Sequence, residues 1–133
     1  MTDLMHQETT ETIIKCFYKV DNSLGFGFLE KVYEKAMMIE LVNHHLNASN
    51  QFPIKVLYNN QIIGDYYADI LVENCIVVEL KAAETLIPEH EQQIINYLKA
   101  TDLELGLLFN FGKKAEFRRI IFTNDRKKRL KNP

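Results

Sequence analysis

The chain has 133 residues, 47% of them hydrophobic and 26% charged, with three prolines, five glycines and a formal net charge of −2. That length favours one compact domain over 1–133, and the composition excludes collagen-like, linker-like and intrinsically disordered chains. No apolar run approaches the roughly 20 residues of a membrane span, and the polar, acidic start does not read as an export signal, so the expectation is a cytoplasmic protein with no membrane partner.

Taken in chain order, Ile13, Ile14, Phe17 and Tyr18 recur at helical spacing and predict a first helix over about 8–20, ended near Asn22, Ser23 and Gly25. After Gly25, Phe26 and Gly27 the period resumes over 28–45 with Leu29, Val32, Tyr33, Ala36, Met37 and Ile39, a second helix closed by the polar stretch 47–51. The pattern then shifts to period two or to continuous apolar runs at 54–58, 62–63, 66–72 and 76–80, with turns at Asn59–Asn60 and Glu73–Asn74. Pro88 opens a third helix over about 88–101, and the runs 106–111 and 117–122 read as two last strands around Gly112, Lys113 and Lys114. The order is α-α-β-β-β-α-β-β.

Cys16 and Cys75 lack metal-ligand spacing and read as reduced thiols, which fits the cytoplasm. The charge is unevenly spread. Residues 1–112 hold 7 Lys/Arg and 16 Asp/Glu, a balance of −9, whereas 113–133 hold 9 and 2, a balance of +7. A basic tail over about 124–133, with Arg126, Lys127, Lys128 and Arg129, suits a phosphate backbone and equally suits a solvated terminus.

Charged side chains stand inside strands that otherwise read as buried. Asp69 interrupts 66–72, and Glu79 and Lys81, two residues apart, point to one face of the next strand. A hairpin about Glu73–Asn74 pairs positions whose numbers sum to roughly 147–149, which brings Asp69 opposite 78–80. Two buried carboxylates at close range take up a proton or recruit a cation, and Mg²⁺ suits a few carboxylates completed by water and substrate oxygens. Lys81 beside them can orient a water or stabilise negative charge. The plainer alternative is an exposed Asp69 and an edge-strand ion pair of Glu79 with Lys81. On the third helix His90, Gln93 and Tyr97 share one face, from which Gln93 and Tyr97 can reach the carboxylates, while His90 either joins the site or caps the helix start. On the second, Glu30 and Tyr33 lie one turn apart, although each alone reads as a solvated acid and a core or rim aromatic.

These residues together resemble a known family. Asp69, followed after ten residues by Glu79, Leu80 and Lys81, resembles the D…ExK centre of the PD-(D/E)XK nuclease superfamily. The stretch Gln93, Ile94, Ile95, Asn96, Tyr97 is similar to the QxxxY helix of its RecB-like branch, and Gly27, Phe28, Leu29, Glu30, Lys31, Val32, Tyr33 to the motif of the GxxExxY proteins. The likeness covers about 8–123 and departs from the superfamily's name in having Ala68 where a proline would precede Asp69.

The resemblance implies an α/β, restriction-endonuclease-like core, a mixed central β-sheet flanked by helices. It also implies a metal, Mg²⁺ or Mn²⁺, held by Asp69, Glu79, the Leu80 carbonyl and Glu30, with Lys81 as catalytic lysine and Gln93 and Tyr97 positioning the lysine, phosphate or water. Tyr33, His90 and the tail residues Arg126, Lys127, Lys128 and Arg129 are the expected substrate contacts. The function expected is metal-dependent hydrolysis of phosphodiester bonds in nucleic acid, DNA ahead of RNA. The alternative is a catalytically weak or inactive nuclease-fold module that binds nucleic acid or a protein. A homodimer is compatible with either, since many enzymes of this superfamily act as dimers.

Overall fold

The first two helical periods form a packed pair, α1 (Gln7–Leu24) and α2 (Glu30–Asn43), in a computed structural model that describes residues 6–127. On α1 the stripe Ile13, Cys16, Phe17 and Val20 is buried, and on α2 Tyr33, Met37 and Leu41. Between the helices Gly25 (φ 69°) and Gly27 (φ 112°) take backbone conformations that other residues rarely adopt, and the Gly25 N–H closes α1 on the Asp21 carbonyl.

The rest of the chain supplies β1 (Ala48–Tyr58), β2 (Gln61–Val72), β3 (Ile76–Lys81), α3 (Pro88–Lys99), β4 (Leu105–Phe111) and β5 (Ala115–Ile121), ending in a 3₁₀ turn (Asn124–Lys127). The strands form one sheet in the order β1-β2-β3-β4-β5, in which β3 and β4 run parallel and the other neighbours antiparallel. A parallel pair needs a crossover, and α3 provides it. The expected order of elements and the mixed sheet flanked by helices are both present. Asn59–Asn60 and Glu73–Asn74 all have positive φ, the conformation of tight hairpin turns whose twist matches that of the strands.

Two strands are longer than their apolar patterns predict. β1 begins at Ala48, inside the polar stretch 47–51 that reads as a connector, because it is an edge strand whose Ser49, Asn50 and Gln51 face solvent. The edge position also accommodates Pro53. β2 continues through Gly64 and Asp65, where the apolar runs 62–63 and 66–72 are interrupted, because its pairing with β1 holds it extended.

Side chains alternate across the sheet into two cores. On one face Ile70, Val72, Ile76, Val78, Leu80, Leu105, Leu107, Phe109 and Phe111 pack under α1 and α2. On the other, Leu71, Val77 and Leu108 pack under Ile94, Tyr97 and Leu98 of α3. α3 lies directly on the β4 backbone at Gly106, where a Cβ would come within 2.4 Å of Ile94 Cγ2. Cys16 and Cys75 are free thiols, and among the described residues no helix is long and apolar enough to cross a membrane.

Because α3 rests on Gly106, Gly106→Ala is expected to lower stability by about 1–3 kcal/mol through overpacking, measured as a shift in the urea midpoint. The same substitution made on an Ile94→Ala background should cost less, since the opposing methyl is gone.

Candidate active site at the divergence of two strands

The antiparallel ladder of β2 and β3 runs through Val72↔Ile76, Leu71↔Val77 and Ile70↔Val78, so the next pair in register is Asp69 with Glu79. There the side chains replace the ladder. The Asp69 N–H donates to Glu79 Oε2 at 2.6 Å, and the Leu80 N–H donates to Asp69 Oδ2 at 2.8 Å. Each carboxylate thus satisfies a backbone N–H from the opposite strand, and no hydrogen bond within the described residues uses its second oxygen.

The Glu79 side chain is buried, its residue only 3% exposed, and Asp69 is half-buried. Burial, and then the Asp69 charge, push the Glu79 carboxyl up to about 8, against a partly offsetting bond from the Asp69 N–H and the nearby Lys81. Asp69 is also raised, first by burial, with Glu34 and Glu30 adding to it and the Leu80 N–H and Lys81 opposing.

Lys81, two residues past Glu79 on the same strand face, donates from Nζ to Gln93 Oε1 at 3.1 Å, and Gln93 Nε2 donates to the Tyr97 hydroxyl oxygen at 3.0 Å. One face of α3 thereby joins the end of β3, as the spacing of Gln93 and Tyr97 predicts. Burial, followed by the Glu79 charge, moves the Tyr97 phenol up to about 12.

The connection from β3 to α3 is tied down from three sides. Glu30 Oε2 accepts the Ala82 N–H at 3.2 Å, and Glu116 Oε1 accepts the Leu86 N–H at 3.1 Å. Asn110, fully buried on β4, accepts the Ala83 N–H at 2.9 Å and donates to the Ala83 carbonyl at 3.0 Å. Sequence reasoning missed Asn110, whose signal is a single amide inside the apolar strand 106–111. It also missed Glu34, one turn beyond Glu30, which is buried and holds the Asn50 and Gln51 amides of β1.

Other candidates stand elsewhere. Tyr33 cannot touch a substrate: it is completely buried, stacks on Phe111 with ring centroids 4.2 Å apart, and donates to the Gly25 carbonyl at 2.5 Å. His90 caps the start of α3, its Nδ1 accepting the Ile87 N–H at 3.2 Å, and also lines the cleft beside Gln93 and Tyr97. Lys127 is buried, with its ammonium donating to the carbonyls of Thr101 and Leu103, and is therefore no part of a free basic surface. The Arg126 guanidinium lies over the Phe122 ring, just past the β5 end paired with Leu105, whereas Lys81 pairs with Asn110 at the other end of β4. Lys128 and Arg129 fall outside the described residues.

Among the described residues no group of three or more His, Cys, Asp or Glu side chains converges to hold a metal. Glu30 does not complete such a cluster with Asp69 and Glu79, because its place is at the Ala82 N–H. The pair Asp69 and Glu79 nevertheless fits a hard divalent cation. Mg²⁺ is commonly bound through only one or two carboxylates, and the buried Glu79 with the half-buried Asp69, each with an uncommitted oxygen, are a matching donor set.

A family model of the PD-(D/E)XK nuclease superfamily matches residues 7–120. Among solved structures, the crystal structure of SSO0001 resembles this chain with a TM-score of 0.57 at 17% identity, over 94% of this chain and 64% of that one. This chain therefore spans less than two thirds of the length of SSO0001, and the likeness is one of fold. No curated protein matches the sequence.

The raised Glu79 carboxyl makes stability depend on pH. The folded state holds a proton that the unfolded chain releases between the ordinary value of 4.5 and about 8, so stability falls as pH rises through that window. Glu79→Gln keeps an acceptor for the Asp69 N–H without the charge. It is expected to be more stable than wild type above pH 8, by on the order of a few kcal/mol, with the difference closing toward pH 4.5 in urea titrations across pH.

Proposed function

The chain belongs to the PD-(D/E)XK nuclease superfamily, and on that premise we propose that it is a metal-dependent phosphodiesterase acting on nucleic acid, with its active site where β2 and β3 part. One observation supports this reading: the crossed carboxylates Asp69 and Glu79 and the hydrogen-bonded chain Lys81–Gln93–Tyr97, drawn from three elements, lie side by side at the end of β3, with Lys81 two residues past Glu79 on the same strand face. A purely structural ion pair of Glu79 with Lys81 has no need of Gln93 and Tyr97 at the ammonium.

Asp69 and Glu79 would hold Mg²⁺ or Mn²⁺, with the Leu80 carbonyl beside them. When bound, the cation supplies Lewis-acid polarisation of a phosphate oxygen and lowers the pKa of a nucleophilic water. Lys81 places a positive charge on the same strand face, where it stabilises the negative charge that grows on the phosphate in the transition state. Gln93 fixes the direction of that ammonium, and Tyr97 fixes Gln93. Glu30, through the Ala82 N–H, keeps the backbone after Lys81 in place. The match of Gly27, Glu30 and Tyr33 to the GxxExxY motif then has a structural reading. Gly27 permits the reversal into α2, Tyr33 anchors that helix to the core, and Glu30 anchors the end of β3.

The test is cleavage of labelled single- and double-stranded DNA and RNA in Mg²⁺ or Mn²⁺. Products are expected only with metal, with DNA ahead of RNA. Asp69→Asn, Glu79→Gln and Lys81→Ala should each reduce the rate by on the order of 10²-fold or more while the protein stays folded by circular dichroism. Absence of products from folded, metal-binding protein would overturn the reading in favour of a nuclease-fold binding module.

A further inference from the structure

Beside the carboxylates a cleft of about 670 Å³ opens between α3 and the arm formed by β1 and β2. Its existence follows from the strand lengths. β2 pairs with β3 only over 70–72 but with β1 along its whole length, so most of the hairpin projects past β3 and leaves a gap under α3. The volume lies within the range of small-ligand sites.

One wall is aromatic. Tyr66, on the arm, is 50% exposed, with its ring centroid 6.1 Å from that of Tyr97 and inclined at 44° to it. The Tyr66 ring is seated on Gly64: a Cβ there would come within 2.8 Å of Tyr66 Cε2 and 3.2 Å of Val56 Cβ. The absence of a side chain at 64 therefore lets a half-exposed ring lie against its own strand. The opposite wall carries the amides Gln92, Gln93 and Asn96 from α3. Gln93 belongs to both places, since its carbonyl oxygen holds Lys81 while its side chain lines the cleft. At the far end the cleft is lined by Lys99, whose ammonium lies 5.7 Å from the centre of the Phe122 ring that also carries the Arg126 guanidinium at 4.4 Å.

Glu89 and His90 also line the cleft, and Arg126 lies outside its lining, beside Lys99 at the Phe122 ring. An exposed ring, a row of amides and the Lys99 ammonium suit a flat apolar face, a polar edge and a phosphate. That is the chemistry of an unpaired nucleotide. A base inside a duplex has both faces covered by its neighbours and cannot offer one to Tyr66, whereas a single strand can.

We propose that the cleft is a nucleobase subsite, in which an unpaired base stacks on Tyr66 against the α3 amides while Lys99 meets the phosphate beyond it. The site thereby selects single-stranded nucleic acid, or the frayed end of a duplex, over intact duplex. This rests on the phosphodiesterase reading for its biological sense, but it is tested by binding alone.

The experiment is fluorescence anisotropy of wild-type protein, Tyr66→Ala and Tyr66→Phe with a labelled single-stranded oligodeoxynucleotide and the matching duplex, in EDTA so that nothing is cleaved. Wild type should bind the single strand more tightly than the duplex. Tyr66→Ala should weaken single-strand binding about tenfold with little change for the duplex, and Tyr66→Phe should retain the wild-type affinity. Melting temperatures check that both variants fold. Equal affinity of wild type for single strand and duplex, or an unchanged single-strand affinity in Tyr66→Ala, overturns the subsite. Cleavage measured separately keeps the two readings apart: wild type that binds through Tyr66 yet cleaves nothing refutes the phosphodiesterase and leaves the subsite standing. Wild type that cleaves while Tyr66→Ala binds normally does the reverse.

Discussion

Two crossed hydrogen bonds, Asp69 N–H to Glu79 and Leu80 N–H to Asp69, govern the chemistry-bearing end of this fold. Where neighbouring strands part, each must find partners for backbone groups that the ladder no longer serves, and unpaired groups are costly in a buried setting. Here the acids supply the acceptors. The strands can separate because the carboxylates are present, and the carboxylates are held in place because the strands separate. Lys81 follows two residues along β3, and the gap opened by the departing arm becomes the cleft under α3. Carboxylates, lysine and cleft are consequences of one local exchange of main-chain for side-chain bonding.

That exchange leaves two carboxyl groups close together, and burial with the neighbouring Asp69 charge pushes Glu79 up to about 8, so the folded protein keeps a proton on the pair near neutrality. α3 rests directly on Gly106, which brings the helix that carries Gln93 and Tyr97 close to the sheet. The connection between β3 and α3 is held by Glu30, Asn110 and Glu116, each from a different element. The Glu79 and Asp69 carboxyls are both raised, first of all by their burial.

Much of this was legible in the residues. Helical period placed α1, α2 and α3, and the Glu73–Asn74 turn set the register that brings Asp69 opposite Glu79, because a tight hairpin fixes which positions face each other. What was hidden depended on tertiary context. The polar start of β1 carries no apolar alternation, since its exposed edge residues make polar bonds, as Asn50 and Gln51 do to Glu34, and bury no apolar face. Tyr33 sits in a motif suggestive of a site, yet its ring is part of the core, and whether an aromatic on an amphipathic helix points inward depends on the Gly25–Gly27 reversal before it. Lys127 reads as one more base in a basic run. Its burial follows from the carbonyls of Thr101 and Leu103 at the end of α3, which lie far from it in sequence. Asn110 went unnoticed inside the strand 106–111, because nothing local reveals that Ala83 needs both a donor and an acceptor.

The chain of bonds from Lys81 through Gln93 to Tyr97 has a consequence of direction. An ammonium can only donate, so Gln93 must present its oxygen to Lys81 and its amide hydrogens to the phenol. The Tyr97 oxygen is thereby cast as acceptor on that side, and its own hydrogen, retained because the phenol titrates only near 12, is turned away from Gln93. A lysine at the end of one strand thus dictates the orientation of a hydroxyl a full turn along a helix. The wall of the cleft acquires a fixed polarity that a flipped amide would reverse.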